Sequence, residues 1–276
     1  MLKKLLSYDF IAIFKYWWIG ALTTIVLALV GAGCGTILQT EKDLPDGVTV
    51  FATIGMVLVV LGLLAFIIFS QLLVYVRFYK HLFTDEGYLT FTLPVKRHHI
   101  LTSKLVSGFV CGLLTVFLTI ADAVIIIFTT FRKDIFYEGW YENFIKGVKD
   151  IISAVGAGNL TILIIEVLIT GILILALSIL FTYLCITFAG AISKKSKLSS
   201  AILMYYGASS ISSIFMYFLY FFGIDAISEW MYDFETKASF ELSIIIILLV
   251  IFFVAMLCTI AYTINYRLLD SKLNLN

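Results

Sequence analysis

Val50-Phe-Ala-Thr-Ile-Gly-Met-Val-Leu-Val-Val-Leu-Gly-Leu-Leu-Ala-Phe-Ile-Ile-Phe-Ser-Gln-Leu-Leu-Val-Tyr-Val76 contains no charged side chain, and the first charge after it is Arg77. About 20 apolar residues cross the hydrocarbon of a bilayer as a helix. This run is longer than that, and a helix apolar on every face belongs in a membrane or a large core. Five more runs share its character, so spans are predicted at approximately 17–39, 50–76, 103–130, 160–190, 198–224 and 241–265. The expected fold is all-α, a polytopic membrane protein with six transmembrane helices forming a single domain over 1–276.

Composition supports this reading. The chain is 62% hydrophobic and only 13% charged, with a mean hydropathy of +1.06. A soluble domain is roughly 45–50% apolar and about 25% charged, so too few polar side chains exist here to cover a water-facing surface. A net charge of +1 without a long basic run excludes nucleic acid as a partner, because displacing phosphate counterions takes clustered Lys and Arg. Cys34, Cys111, Cys185 and Cys258 all lie in apolar stretches with neither disulfide nor zinc spacing.

Charge distribution sets the orientation. Of the 19 Lys and Arg, thirteen fall in 1–16, 77–104, 191–197 and 266–276, and six fall in the other connections. The positive-inside rule then puts both termini in the cytoplasm. Residues 2–14 mix Leu2, Leu5, Leu6 and Ile13 with Lys3, Lys4 and Asp9, the pattern of an amphipathic N-terminal helix in the inner headgroup layer. Phe144, Ile145, Val148, Ile151, Ile152 and Val155 recur at helical spacing opposite Lys146, Lys149 and Asp150, which predicts a second surface helix on the outer side.

Motifs for chemistry are missing. There is no Gly-Lys pair to close a phosphate-binding loop, no H-E-x-x-H, and Gly207-Ala-Ser209-Ser-Ile211 breaks the serine-nucleophile pattern at its last position. The chain is not expected to be an enzyme or to bind a cofactor or metal. Transport, sensing or a structural membrane role remain.

The connection between the second and third spans is the most informative polar segment. It reads as a helix through Phe83, a stop near Asp85-Glu86-Gly87, an extended Thr92-Leu93-Pro94, then Val95-Lys96-Arg97 and the next helix. Gly87 suits a left-handed cap and Pro94 pushes Leu93 toward extended geometry. Too much Leu and Phe occurs for a flexible linker. The acid-Gly motif followed by Leu93-Pro94-Val95 and the basic Lys96-Arg97, with Ile100-Leu101 and Lys104 beyond, resembles the first cytoplasmic loop of six-span ABC exporter permeases. That resemblance implies a membrane subunit that couples ATP hydrolysis on a separate cytoplasmic ABC ATPase to substrate export by alternating access. ATP and magnesium would sit on the ATPase, and a second permease subunit, identical or not, would complete the transporter. It also implies that Asp85, Glu86, Gly87, Leu93, Pro94 and Arg97 carry the coupling. The alternative is a non-transporting membrane immunity or sensor protein that binds its partner within the bilayer.

Inside the spans, Asp122 and Glu166 are ionisable, and such groups usually face a bundle interior, an aqueous cavity or a partner. Tyr206, Ser210, Ser213 and Tyr217 form a polar seam on the fifth span. Asp122, Glu166 and this seam are the candidate pathway residues, and the same residues could instead hold helices together.

Overall fold

The computed structural model describes residues 2–39, 45–84, 87, 95–132, 139–192, 199–214, 217 and 238–271. These are helical almost throughout: α1 (Leu2–Leu38), α2 (Asp46–Phe83), α3 (Arg97–Thr130), α4 (Trp140–Val155), α5 (Ala157–Ile192), α6 (199–214) and α7 (Ala238–Ser271). Five helices among the described residues are long and apolar enough to cross a membrane, running Lys3–Leu38, Asp46–Phe83, Arg97–Thr130, Ala157–Ile192 and Ser243–Asp270. The protein is an all-α, multi-pass membrane protein. Of the expected span at 198–224, residues 199–214 and 217 are helical and the rest lies outside the described residues.

The N-terminus differs from expectation. No separate surface helix precedes the first span, because α1 continues unbroken from Leu2 to Leu38. At 1.5 Å per residue it is roughly 55 Å long, well beyond the roughly 30 Å of bilayer hydrocarbon. Between Asp9 and Ile19 the sequence has neither Gly nor Pro to interrupt it, and Asp9 is buried against other helices.

Two compact units make up the chain, Met1–Phe78 with Thr102–Gly147, and Tyr79–Leu101 with Val148–Asn276. In the first, α1 and α3 run parallel: Trp17 Nε1 donates to Thr115 Oγ1 at 2.9 Å, and Gly31 and Gly35 meet Ile126 and Thr130 farther along both helices. α2 runs against them, since Gly62 meets Leu27, Gly55 meets Cys34 and Phe66 meets Gly20. Lipid removes most of the hydrophobic drive for helix association, which leaves close packing and hydrogen bonds to supply it. Both are present. A Cβ on Gly31 would lie 2.9 Å from Val59, one on Gly55 2.7 Å from Cys34 Sγ, and the Ser70 hydroxyl bonds Thr115 Oγ1 at 2.5 Å in the middle of the bundle.

In the second unit α5 and α7 are also parallel. Cys258 Sγ reaches the Leu173 carbonyl at 3.7 Å, and seven residues onward in both helices Asn265 Nδ2 donates to the Leu180 carbonyl at 3.1 Å. Asn265 is fully buried, and its Oδ1 accepts from Thr187 Oγ1 at 2.9 Å while Nδ2 also bonds the Ala261 carbonyl. Every polar atom of that amide has a partner, so it ties the helices with no buried polar group left unsatisfied.

A helix is present at the predicted 144–155 as α4 and extends back to Trp140. Gly139 and Gly156 stand at its two ends with φ of 88° and 87°, a left-handed geometry that a Cβ disfavours. Gly156 N–H closes α4 onto the Ile152 carbonyl at 2.8 Å, and its own carbonyl accepts from Leu160 to begin α5. Phe144, Val148 and Ile152 form an exposed apolar stripe on α4.

Candidate functional site

Four short pieces meet at one end of the second unit: the last turn of α2, the first turn of α3, and the C-terminal ends of α5 and α7. Each flank of the 84–96 connection is fixed there by burial. Leu82 and Leu101 are fully enclosed, and Phe83 and Ile100 are nearly so. Phe83 stacks on Tyr79 with ring centroids 6.2 Å apart and lies directly over Gly190 of α5. A Cβ at position 190 would be 2.2 Å from the Phe83 ring, so only glycine admits this aromatic anchor.

Arg97 fastens the other flank to α7. Its guanidinium donates to the carbonyls of Leu269, at 2.9 Å, and Asp270, and pairs with the Asp270 carboxylate at 3.1 Å. These are the last carbonyls of α7, the negative end of its dipole, where a cation is favoured. One residue on, the His98 ring bonds Tyr262 Oη at 2.7 Å. The sequence pointed to Arg97 as a coupling residue, and here it holds the loop base to α7. Asp270 and Tyr262, its companions in that latch, lie far away in sequence and gave no signal of their own.

Gly87 is helical, with its N–H bonded to the Thr84 carbonyl at 2.8 Å. What demands glycine there is room, because a Cβ would lie 2.6 Å from the Leu82 carbonyl oxygen. Asp85, Glu86, Leu93 and Pro94 lie outside the described residues.

The intramembrane candidates fall in different units. Asp122, in the first, is 1% exposed and in hydrogen-bonding reach of the Thr24 hydroxyl across the α1–α3 contact. Thr24 already donates to the Ala21 carbonyl at 2.9 Å. Asp122→Asn keeps a donor and an acceptor for that contact. It is therefore expected to change stability by no more than about 0.6 kcal/mol, the average for one interhelical hydrogen bond in a membrane, as read by thermal unfolding in nanodiscs. A loss of several kcal/mol would show that the ionised carboxylate itself is needed.

Glu166, in the second unit, is 5% exposed, and its Oε2 has no hydrogen-bond partner among the described residues. Tyr206 and Ser210 line a recess of about 520 Å³ along α6 together with Ser199, Leu203 and Gly207. Tyr206, Ser210, Ser213 and Tyr217 are all exposed, so the seam faces away from the chain's own packing. No cluster of three His, Cys, Asp or Glu able to hold a metal occurs among the described residues.

One charged cluster escaped the sequence reading. In the first unit Asp9 is 2% exposed and receives the Lys104 ammonium, the Ser103 hydroxyl at 3.1 Å and Arg77 Nε at 3.6 Å. Its three partners come from α2 and α3, so it joins all three helices of the unit. No family model, no curated protein and no solved structure matches this chain. Function therefore has to be argued from these side chains.

Proposed function

We propose that the chain is the membrane-spanning permease subunit of an ATP-driven ABC exporter, with its 84–96 connection receiving a separate cytoplasmic ATPase. The observation that carries this reading is the way that connection is mounted. Phe83 over Gly190 ties one flank to α5, and Arg97 on the last carbonyls of α7 ties the other. A push on the loop is thus delivered to the ends of two long parallel helices, as a coupling element requires. Gly87, where a Cβ would press on the Leu82 carbonyl, stands at the place where the resemblance puts the ATPase contact. ATP and magnesium belong to that partner, and a second permease subunit completes the pathway.

Six spans with both termini in the cytoplasm fit this reading. Parallel α5 and α7 agree with a returning span between them, and α6 is helical in that part of the sequence. The outer surface then receives α4, whose exposed Phe144, Val148 and Ile152 suit the headgroup boundary. Cysteine placed at 237 in a cysteine-free background should react with an impermeant maleimide on intact cells, and cysteine at 195 should not. Labelling of both or the reverse pattern would remove the six-span topology.

Function is tested by searching the neighbouring reading frames for an ATPase with a Gly-Lys-Ser/Thr phosphate loop and co-expressing it with this chain. Co-expression should bring that ATPase to the membrane and alter its ATP turnover in proteoliposomes, and Glu86→Ala with Gly87→Val should abolish both while leaving the amount of folded chain unchanged. A chain that recruits no ATPase, or recruits it equally well with both substitutions, would sink the proposal. The alternative immunity or sensor role would then draw on the exposed Tyr206–Tyr217 seam as a partner surface. If Asp122 and Glu166 also line a pathway, Glu166→Gln should lower substrate-stimulated ATP turnover.

A further inference from the structure

A recess of about 620 Å³ opens beside the Arg97 latch, lined by Lys96, Arg97, His98, Tyr262, Tyr266 and Asp270. We infer that it holds the phosphate-bearing headgroup of an anionic phospholipid. This goes beyond the transporter reading and does not depend on it.

Charge, position and shape each contribute. Asp270 is engaged by Arg97 at 3.1 Å, so those two charges largely offset one another. What remains is Lys96, which is exposed, with His98 beside it and the positive end of the α3 dipole, since α3 begins at Arg97. The sum favours a phosphate. Tyr262 and Tyr266 stand one turn apart where the apolar run of α7 gives way to Arg267 and Asp270, the level at which tyrosines mark a membrane–water interface. The volume lies within the range of pockets that enclose small ligands, and basic pockets between membrane helices suit anionic headgroups.

A soluble phosphate compound would satisfy the same charges, but the surroundings favour a lipid. At 100° per residue, Phe252 and Met256 share a face of α7 with Tyr266 and Asp270, and both are exposed. Thr259 and Thr263 lie between them and the recess on that face with their hydroxyls turned back onto the Met256 and Ile260 carbonyls, so an acyl chain running along the membrane helix meets few free polar groups. A soluble ligand has no use for that face.

The test uses the purified full-length chain in a neutral detergent, titrated with short-chain phosphatidylglycerol and followed by native mass spectrometry. One saturable lipid site is expected, with weaker binding of the phosphatidylcholine of the same chain length. Lys96→Gln should weaken phosphatidylglycerol about fivefold, the effect of one cation near a membrane surface, and Lys96→Gln with His98→Gln should weaken it further. Lys146→Gln, on α4, should leave binding unchanged. Equal binding of the two lipids, or no effect of either substitution at positions 96 and 98 in a chain with unchanged thermal midpoint, would overturn the inference. Glycerol 3-phosphate is the remaining arm. Saturation at the lipid's own concentrations would make the ligand a soluble phosphate and remove the lipid assignment.

Discussion

Replacing Asp9 by Leu should destabilise the protein by about 3–5 kcal/mol, the cost of breaking a buried ion pair from one side. Lys104 is 3% exposed, so without Asp9 its ammonium stays enclosed and loses the carboxylate it pairs with. Arg77, with 25% of its side chain exposed, can reach solvent and suffers less. Ser103 loses its hydrogen bond to that carboxylate as well. Thermal unfolding in nanodiscs and the yield of monodisperse protein both read this effect. The decisive comparison is Asp9→Leu with Lys104→Met. Removing both charges together replaces the pair by apolar groups of similar size, which is often close to neutral, so the double variant should regain most of the loss. A single substitution costing less than about 1 kcal/mol would show that Asp9 is solvated and not the fastening of α1 to α2 and α3.

Why the sequence hid this cluster is a matter of what periodicity can carry. Long stretches without charge identified the membrane helices, because each one reports its own solvent. Pairing between helices depends on register, and nothing within the 2–14 segment announces that Asp9 lies level with Arg77 and Lys104. Read alone, Lys3, Lys4 and Asp9 suited a polar face in the headgroups, so a separate surface helix was expected where α1 is continuous. A usable signal was present: Asp9, Arg77 and Lys104 each stand near the charged boundary of a successive span, and three such boundaries meet at one level in an up-down-up arrangement. Small residues mark close approaches within the same unit. Gly31 and Gly35 stand four apart, the spacing that lets helices approach closely, and they face Ile126 and Thr130. In the loop, the sequence singled out Gly87 and Arg97 for a part in coupling but could not supply what each one touches. Those contacts are with the Leu82 carbonyl in one case and the end of α7 in the other.

The contact of Phe83 with Gly190 gives the other large expected effect. Gly190→Leu introduces a branched side chain where even a Cβ would lie 2.2 Å from the aromatic ring, and overpacking of this kind costs typically about 1–3 kcal/mol. The ring has no easy retreat, since it is 5% exposed and stacked on Tyr79. Phe83→Ala should also destabilise, by about 3–5 kcal/mol, because it leaves a cavity at the same place. Together the two substitutions should cost less than their sum by about 0.5–3 kcal/mol, as the leucine fills the space that the ring vacates. Strict additivity would mean that the two residues do not meet. The same pair separates stability from coupling. If the 84–96 connection passes an ATPase's movement to α5 through this aromatic, the double variant should fold yet respond poorly to its ATPase, because a leucine filling a cavity does not replace a ring locked over glycine. Full ATPase response in the stable double variant would leave the α7 latch at Arg97 as the route by which the loop acts.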